Sequence, residues 1–464
     1  MIDINNDLKP ADLTAQIEKL WTVSAPKIFS IARNYDRSQG SPVYTVKGHY
    51  TTRGWTEWTQ GFEYGAAILQ YDATGDKDAL PYGRESTLHL MAPHLTHMGV
   101  HDHGFNNVST YGNLRRLMRE GKIEHNEWEM NFYELALKLS GAVQARRWTK
   151  IKAGGGYIYS FNGPHSLFAD TIRSLRALAI GYRLGHSLME EGDETISLLD
   201  RLVQHARTTA RFSVYYGEGR DAYDLRGRTT HEAIFNLNDG NFRCPNSQQG
   251  FSPFTTWTRG LSWILCGFPE ELEFLDTLED KEFEPYGGRA EIEGFMRKAA
   301  EAVADFFIEH TPTDGIPYWD TGAPNLHRIG DYLNQPADPY NDFEPVDSTA
   351  AAICAQGYLR LGRYLREKGG NEGQETIDKG NKYWQTGLTI AKTLFAEPYL
   401  STDDNHQGLL LHSIYHRPNG WDHIPDGSRI PHGESSMWGD YHIRELALYI
   451  QRVINDEPYL TFFG

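Results

Sequence analysis

Apolar residues recur with a helical period along nearly the whole chain, and this pattern constrains the fold most. The segment FADTIRSLRALAIGYRLG places Phe168, Ile172, Leu175 and Tyr182 on one face of a helix that ends at Gly185. The segments WTQGFEYGAAILQYDATGD, DSTAAAICAQGYLRLGRYLRE and ESSMWGDYHIRELALYIQRVI show the same periodicity. Alternating strand-like runs are few, and GGGYIYSFNG is the clearest of them. The chain is therefore predicted to be all-α.

Several of these helices share a design, with polar or aromatic openings, small residues in the middle and large apolar residues at the end. About a dozen such helices, taken in pairs, indicate a toroid in which outer helices cover inner ones. The loops that enter the inner helices would then line one pocket. No linker or low-complexity stretch divides the sequence, so residues 1–464 are predicted to form a single catalytic domain.

Charge and cysteine content exclude several classes of protein. A net charge of −17 argues against a surface that binds nucleic acid or an anionic membrane. The N-terminus has no apolar signal core, and no apolar run reaches the length of a membrane span. Cys244, Cys266 and Cys354 fit neither a disulfide framework nor a zinc pattern, so buried free thiols and a cytoplasmic location are expected. Nucleotide-binding motifs are absent from the sequence, so no cofactor is predicted.

The stretch MGVHDHGFNN contains His101, Asp102 and His103, and three further histidines precede it in LHLMAPHLTH. A His-x-His pair can bind zinc, but no HExxH, CxxC or carboxylate-rich loop lies nearby to complete a site. A loop in which Asp102 is functional and the histidines form hydrogen bonds is the favoured interpretation. A metal site and a purely structural loop are the alternatives.

Asp170 stands at the start of a predicted helix and has two interpretations. A carboxylate in the first helical turn is commonly a cap. If Asp170 faces a pocket instead, burial raises its pKa while the helix dipole lowers it, and a general acid requires burial to win. With Asp102 it would supply two carboxylates, which is the minimum for glycosidic chemistry.

The segment QGFSPFTTWTRGLSW contains an arginine beside tryptophans, which can hold a carboxylate by charge-assisted hydrogen bonds. An arginine with a structural role is the alternative. Ser435 and Ser436 precede another helix, which one of them could cap. They lack the glycine elbow of a serine hydrolase, so a serine nucleophile has little support.

Several blocks, taken in order, resemble one family. HDHGF and FADTIRSL resemble the two aspartate blocks of unsaturated glucuronyl hydrolases, glycoside hydrolase family 88, and the second is also similar to the related unsaturated rhamnogalacturonyl hydrolases of family 105. EWTQGF, QGFSPFTTWTRGLSW, IPYWDTGAP, DSTAAAI, GLLLH and SSMWGDYH continue the resemblance. The blocks extend from about Trp58 to Glu445, which is nearly the whole chain.

This resemblance implies an (α/α)6 barrel without a metal ion. It also implies release of a terminal 4,5-unsaturated uronic acid from oligosaccharides that polysaccharide lyases produce. In that reaction an acid protonates C4 of the vinyl ether and water adds at C5. The hemiketal then opens and the aglycone leaves.

The resemblance also assigns roles to individual residues. Asp170 matches the general acid/base, and Asp102 matches the second essential carboxylate. The substrate-binding positions that it implies are Trp58, His101, His231, Gln249, Trp257, Arg259, Trp263, Ser435 and Ser436, together with an aromatic wall that is either Phe161 or Tyr159.

The sequence departs from the family pattern at His103, Arg173, Ser174 and Arg176, and in the segment RRWTKIKAGGGYIYSFNGPH. These changes are expected around the pocket mouth, so a substrate other than unsaturated glucuronyl-hexosamines is compatible with them. An inverting glycosidase that acts on saturated sugars and a sugar-binding protein with a decayed site are the alternative functions. The sequence leaves the aglycone, its linkage and sulfation, and the oligomeric state open.

Overall fold

The computed structural model describes residues 1–54 and 57–463, without the side chain of Glu57. Its α-helices are α1 (Thr14–Asn34), α2 (Gln60–Thr74), α3 (Ala79–Leu90), α4 (Ala92–Leu95), α5 (His103–Asn107), α6 (Asn113–Arg119), α7 (Glu127–Arg146), α8 (Thr171–Ser174), α9 (Arg176–Arg183), α10 (Leu198–Phe212), α11 (Thr258–Leu275), α12 (Arg289–Glu309), α13 (Ser348–Glu372), α14 (Gln374–Leu394) and α15 (Met437–Ile454). A π-helical segment, Val108–Gly112, joins α5 to α6.

The strands are short and antiparallel. They are β1 (Tyr44–Val46), β2 (His49–Thr51), β3 (Trp148–Lys150), β4 (Gly156–Ile158), β5 (Ser166–Phe168), β6 (Ser187–Met189), β7 (Thr195–Ser197), β8 (Glu232–Phe235) and β9 (Phe242–Asn246). They form the pairs β1–β2, β3–β4 and β6–β7 and a sheet of order β5–β8–β9. The GGGYIYSFNG segment supplies β4, as its alternation predicts.

The helices form two concentric rings. The inner ring runs from α2 through α5–α6, α8–α9, α11, α13 and α15 back to α2, and successive members contact each other. The outer helices α3, α7, α10, α12, α14 and α1 cover these inner members, so the described helices make six hairpins. The fold is therefore all-α, an (α/α)6 barrel, and the fold prediction is confirmed.

The inner helices are buried along nearly their full length, which explains their apolar composition and small residues. Gly357 in α13 lies against α11, and a Cβ there would stand only 2.5 Å from the Leu265 carbonyl oxygen. One hydrophobic cluster extends from Ile2 to Phe463. Cys266 and Cys354 belong to it, but Cys244 in β9 is exposed, so the expectation of three buried thiols is wrong for that residue.

Two local predictions require correction. Phe168 is not helical but belongs to β5, where it pairs with Glu232 of β8. The helix begins only at Thr171 and is interrupted at Leu175, between α8 and α9. Between α3 and His101 only the short α4 is helical, so His94 lies in a helix whereas His97 and His101 do not. Among the described helices, none combines the length and apolar character that crossing a bilayer requires.

Candidate active site

One pocket opens where the chain enters the inner helices, so residues that precede or begin α5, α8 and α11 line it. Asp102 and Asp170 hold the N-cap positions of α5 and α8, and Trp257 holds that of α11. The residues lining the pocket are Trp58, Val100, His101, Asp102, Phe105, Phe161, Phe168, Asp170, Gln248, Gln249, Trp257, Arg259, Trp263, Tyr415, His416 and Trp421. The pocket therefore combines two carboxylates, aromatic walls and few polar groups.

Asp170 faces the pocket and does not cap its helix. Its side chain makes no capping hydrogen bond, although it stands at the N-cap position of α8. Its Oδ2 atom lies 3.0 Å from Nε2 of His101, and its Oδ1 atom lies 4.0 Å from Nε2 of His231. Of its two interpretations from sequence, the geometry favours the pocket carboxylate.

Asp102 is the second buried carboxylate. Its side chain also makes no capping bond, and its Oδ2 atom lies 3.8 Å from Nδ1 of His101. One ring nitrogen of His101 and one carboxylate oxygen from each of Asp102 and Asp170 lie within 4.8 Å of one another. Such a spacing suits a cation or a shared proton, and a hydrogen bond already joins His101 to Asp170.

The charge states of these three groups are coupled. Burial disfavours the charged form of His101, but Asp102 and Asp170 outweigh it and raise the pKa of this imidazole above its ordinary value. Burial likewise raises the pKa of Asp170, yet the charge and hydrogen bond of His101 outweigh burial, so this pKa is lowered. In the free protein the proton therefore resides on His101. This differs from the expectation from sequence, in which a general acid at Asp170 needs burial to raise its pKa.

The pKa of Asp102 is shifted in the opposite direction. Burial raises it, His101 opposes the rise, and the negative charge of Asp170 adds to it, so the net pKa of Asp102 lies above its ordinary value. The pKa values of the two carboxyl groups are thus shifted in opposite directions, because His101 makes its close hydrogen bond only to Asp170. Pairs of carboxyl groups whose pKa values are driven apart are typical of acid–base sites.

His231 borders Asp170 in a neutral form. Its Nδ1 atom accepts the backbone N–H groups of Gln248 and Gln249 at 3.0 and 3.3 Å. The proton of the neutral ring must then lie on Nε2, which points toward Asp170. Burial lowers the pKa of His231 to about 4. Its Nε2 atom has no hydrogen-bond partner among the described residues, so it is placed to donate to a ligand beside Asp170.

Aromatic rings surround the carboxylates. Phe161 stacks on His101 with ring centroids 6.0 Å apart, and Trp257 meets His231 edge-on at 4.6 Å. Trp58 packs against Trp438 at 5.0 Å. Of the two aromatic residues left open by the sequence, Phe161 lines the pocket, whereas Tyr159 does not belong to its lining. Flat rings with polar atoms between them suit the faces of a sugar.

Arg259 and Gln249 form a linked pair at the pocket. The buried guanidinium of Arg259 pairs with Asp347 at 2.7 Å and donates to the carbonyls of Ile414 and Tyr415. Its Nη2 atom also donates to Oε1 of Gln249 at 3.2 Å. Asp347 thus neutralises Arg259, which orients Gln249 and holds the loop that carries Tyr415 against the pocket.

Ser435 and Ser436 do not line the pocket. Ser435 donates from Oγ to the Leu410 carbonyl at 2.6 Å, and Oγ of Ser436 accepts the Gly439 N–H as the cap of α15. Both side chains are buried and engaged within the fold. The capping alternative therefore describes Ser436, and the structure does not bring either serine to the carboxylates.

Three of the departures from the family pattern, Arg173, Ser174 and Arg176, lie below the pocket, whereas the segment RRWTKIKAGGGYIYSFNGPH contributes Phe161 to the pocket lining. Arg173 and Arg176 are fully buried and pair with Glu270 and Glu445 inside the barrel. Ser174 donates from Oγ to the His101 carbonyl and accepts the Gly104 N–H at 2.9 Å. These residues therefore support the base of the site, and the expectation that they alter the pocket mouth is wrong for them.

Sequence reasoning missed part of the lining. Gln248, Tyr415, His416 and Trp421 come from loops that no motif singled out, and Trp421 belongs to a segment more than 150 residues beyond Arg259 in the chain. The only available signal was aromatic richness in HSIYHRPNGWDH. Contacts between segments this distant depend on the closed barrel and leave no local pattern.

Fold and site together define the class of (α/α)6-barrel proteins whose pocket presents two buried carboxylates. No protein-family model matches the chain. The chain is 26% identical over 426 residues to an unsaturated glucuronyl hydrolase of Bacillus sp. (strain GL1), covering 89% of this chain and 90% of that protein. It is 21% identical over 410 residues to an unsaturated chondroitin disaccharide hydrolase of Streptococcus agalactiae, covering 86% and 83%.

Solved structures agree in fold. The crystal structure of the Bacillus sp. GL1 unsaturated glucuronyl hydrolase matches with a TM-score of 0.68 at 20% identity, covering 95% of this chain and 97% of that chain. An unsaturated glucuronyl hydrolase specific for heparin matches with a TM-score of 0.69 and covers 95% and 98%. The resemblance of the ordered blocks is thus confirmed, and the chain is a relative of the unsaturated glucuronyl hydrolases.

Proposed function

We propose that the protein is a glycoside hydrolase that releases a terminal 4,5-unsaturated uronic acid from lyase-generated oligosaccharides by hydrating the C4=C5 bond. The observation that carries this proposal is the link from Asp102 through His101 to Asp170 in an aromatic-walled pocket. The similarity to curated hydrolases of unsaturated glucuronyl and chondroitin oligosaccharides supports it.

Asp170 is the proposed acid and base. The proton that His101 holds in the free protein can pass to Asp170 across their 3.0 Å hydrogen bond. A bound uronate brings a further negative charge, which favours the neutral form of a neighbouring carboxyl. Asp170 then donates the proton to C4, the C4=C5 electron pair forms the new C–H bond, and positive charge develops at C5 and the ring oxygen.

Water completes the hydration. Asp170, again a carboxylate, accepts a proton from the water that attacks C5, and a hemiketal forms. The hemiketal opens by breaking the bond between C5 and the ring oxygen, and the resulting hemiacetal at C1 expels the aglycone. Asp102 is proposed to orient the water or a ring hydroxyl, and His231 to donate from Nε2 to the bound sugar.

The spacing of the carboxylates disfavours the alternative of an inverting glycosidase. One carboxylate oxygen of Asp102 lies within 4.8 Å of one carboxylate oxygen of Asp170. Inverting enzymes separate their carboxyl groups by roughly 6.5–9.5 Å to admit a water between base and sugar. A single acid–base carboxylate acting at C4 and C5 needs no such gap.

Substrate class and location are part of the same proposal. The partner is an oligosaccharide that ends in an unsaturated uronate, bound by Trp58, His101, Phe161, His231, Gln249, Trp257, Arg259 and Trp263. The net charge of −17 supports a protein without nucleic-acid or membrane partners, and free cysteines support a cytoplasmic location. Residues 1–464 are proposed to act as one catalytic domain.

The test is the ultraviolet absorbance of the C4=C5 bond in lyase-generated disaccharides. A panel from glucuronan, chondroitin, ulvan and rhamnogalacturonan is incubated with the protein and with Asp170→Asn. Loss of absorbance with the wild type alone on any substrate supports hydration and identifies the substrate class. Stable absorbance across the panel, with a folded sample, contradicts the proposal and directs attention to ordinary glycosides.

A further inference from the structure

Arg147 is a buried arginine that joins two loops of the pocket wall. It follows the last residue of α7 and is 4% exposed. Its Nη1 atom donates to the Met98 carbonyl, its Nε atom to that of Tyr159 at 3.1 Å, and its Nη2 atom to that of Ser160 at 2.7 Å. The guanidinium also lies over the Tyr159 ring, 4.3 Å from its centroid.

The two joined loops carry residues that meet in the pocket. Met98 lies three residues before His101, and Ser160 immediately precedes Phe161. The rings of His101 and Phe161 stack with their centroids 6.0 Å apart and their planes at 21°. The planar guanidinium of Arg147, bonded to three backbone carbonyls, therefore determines how the loop that carries His101 faces the loop that carries Phe161.

The charge of this arginine is not neutralised by contact. Among the described side chains, which exclude that of Glu57, no carboxylate lies at ion-pair distance from Arg147, whereas Arg259 is paired with Asp347. Four charged or titratable groups act on Asp102, namely His101, Asp170, Arg147 and His97. Burial raises the pKa of Asp102, and the positive charges of His101 and Arg147 oppose this rise.

We propose that Arg147 is a positioning residue of the active site, which aligns the His101–Asp102 loop with the Phe161 loop and supplies a fixed positive charge for an anionic sugar. The inference rests on the proposed hydration activity. Arg147 does not line the pocket itself, so it acts through the residues that it holds.

The experiment compares Arg147→Met, Arg147→Gln and Arg147→Lys with the control Arg220→Met. Arg220 also donates to three backbone carbonyls and lies over a tyrosine ring, Tyr215, but in a loop outside the pocket. Arg147→Met is expected to lower kcat by about tenfold or more, because small misplacements of reacting groups are costly. Arg147→Lys should retain more activity than Arg147→Gln, and Arg220→Met should stay within about twofold of the wild type.

Amide hydrogen exchange gives a second readout that does not need turnover. Arg147→Met should accelerate exchange in residues 98–102 and 159–161 together, whereas Arg220→Met should not. Wild-type kcat and exchange in folded Arg147→Met would overturn the inference. If that variant does not fold, equal activity of the Gln and Lys variants would overturn it. A wild type without activity on any substrate would contradict the proposed function, while exchange would still decide whether Arg147 holds the loops.

Discussion

Nε2 of His101 lies 3.0 Å from Oδ2 of Asp170, and this contact couples the charge states of the two residues. The charges of Asp102 and Asp170, together with this hydrogen bond, raise the pKa of His101, and the charge and hydrogen bond of His101 lower the pKa of Asp170, against the effect of burial in both cases. The free site therefore stores its proton one hydrogen bond away from the carboxylate proposed to use it. Binding of an anionic sugar should shift this balance toward Asp170.

Removing either carboxylate should abolish turnover without unfolding the protein. Asp170→Asn and Asp102→Asn are each expected to lower kcat by about 10²–10⁴-fold, the range typical of general acid–base groups. The exposed Asp378→Asn on α14 is the control and should be as active as the wild type. Steady-state kinetics measures the loss of turnover, and thermal unfolding checks that each variant is folded. Wild-type-like activity in either pocket variant would refute the role assigned to that aspartate.

The acid–base pair should also shape the pH profile. Because the protonated form of His101 is proposed to supply the proton, kcat/KM should fall as pH rises through the raised pKa of this histidine. His101→Gln removes that ionisation, so its residual activity should no longer show the same alkaline limb. A variant with the same alkaline limb as the wild type would show that another group controls it.

Gly104 in α5 sets the distance between α5 and α8. A Cβ at Gly104 would overlap the backbone of Ser174, so Gly104→Ala should displace Asp102 and lower both kcat and the free energy of unfolding. Gly294 in α12 is the matched control, since a Cβ there meets nothing within 4 Å. Gly294→Ala should stabilise the helix by about 0.5–1 kcal/mol. Equal effects of the two changes on activity would contradict this packing.

Buried histidines should make the fold sensitive to mild acid. Burial lowers the pKa of His94, His103 and His231 to about 4 and that of His205 and His412 to about 3. These residues are neutral when folded but bind protons when unfolded below about pH 6.5, so the free energy of unfolding should fall as pH drops from about 6.5 toward 4.

Each such histidine adds about 1.4 kcal/mol per pH unit to this dependence. His205→Gln removes one titration, so its slope should be smaller by about that amount even if its stability at pH 7 is lower. Urea unfolding at pH 7, 6 and 5 measures both slopes. If the free energy of unfolding depended on pH equally in His205→Gln and the wild type, His205 would not contribute to the acid sensitivity.

The aromatic wall should contribute to substrate binding. Phe161→Ala is expected to raise KM by about tenfold, because its ring stacks on His101 and lines the pocket proposed to bind the sugar. Trp128, 68% exposed on α7, is the control, and Trp128→Ala should leave KM unchanged. Steady-state kinetics on one unsaturated disaccharide gives the KM of each variant. Equal KM values for Phe161→Ala and Trp128→Ala would exclude a binding role for Phe161.

Local pattern predicts much of this fold and the centre of its site. Helical periodicity and small residues identify the double ring, and the ordered blocks identify Asp102 and Asp170. The sequence alone could not decide between a cap and a pocket group at Asp170, because both occupy the first turn of a helix. Only the contact with His101, 69 residues earlier in the chain, resolves it.

Other features depend on distant contacts that no short pattern records. Arg259 pairs with Asp347 and donates to carbonyls about 155 residues further along the chain. Its motif suggests an arginine that binds a carboxylate of the substrate, but in the fold Asp347 already neutralises its charge. Arg173 and Arg176 look like pocket changes in the sequence but are buried with Glu270. Arg147 carries no motif, and its role arises where two loops meet.

The most direct test of the account is the reaction in D₂O followed by proton NMR at early conversion. Hydration requires that the C4=C5 signal of the sugar disappear in step with aglycone release and that C4 acquire one deuteron from solvent. Asp170→Asn should show neither change. Aglycone release with the double bond retained and no deuterium at C4 would contradict the account and indicate direct cleavage of the glycosidic bond.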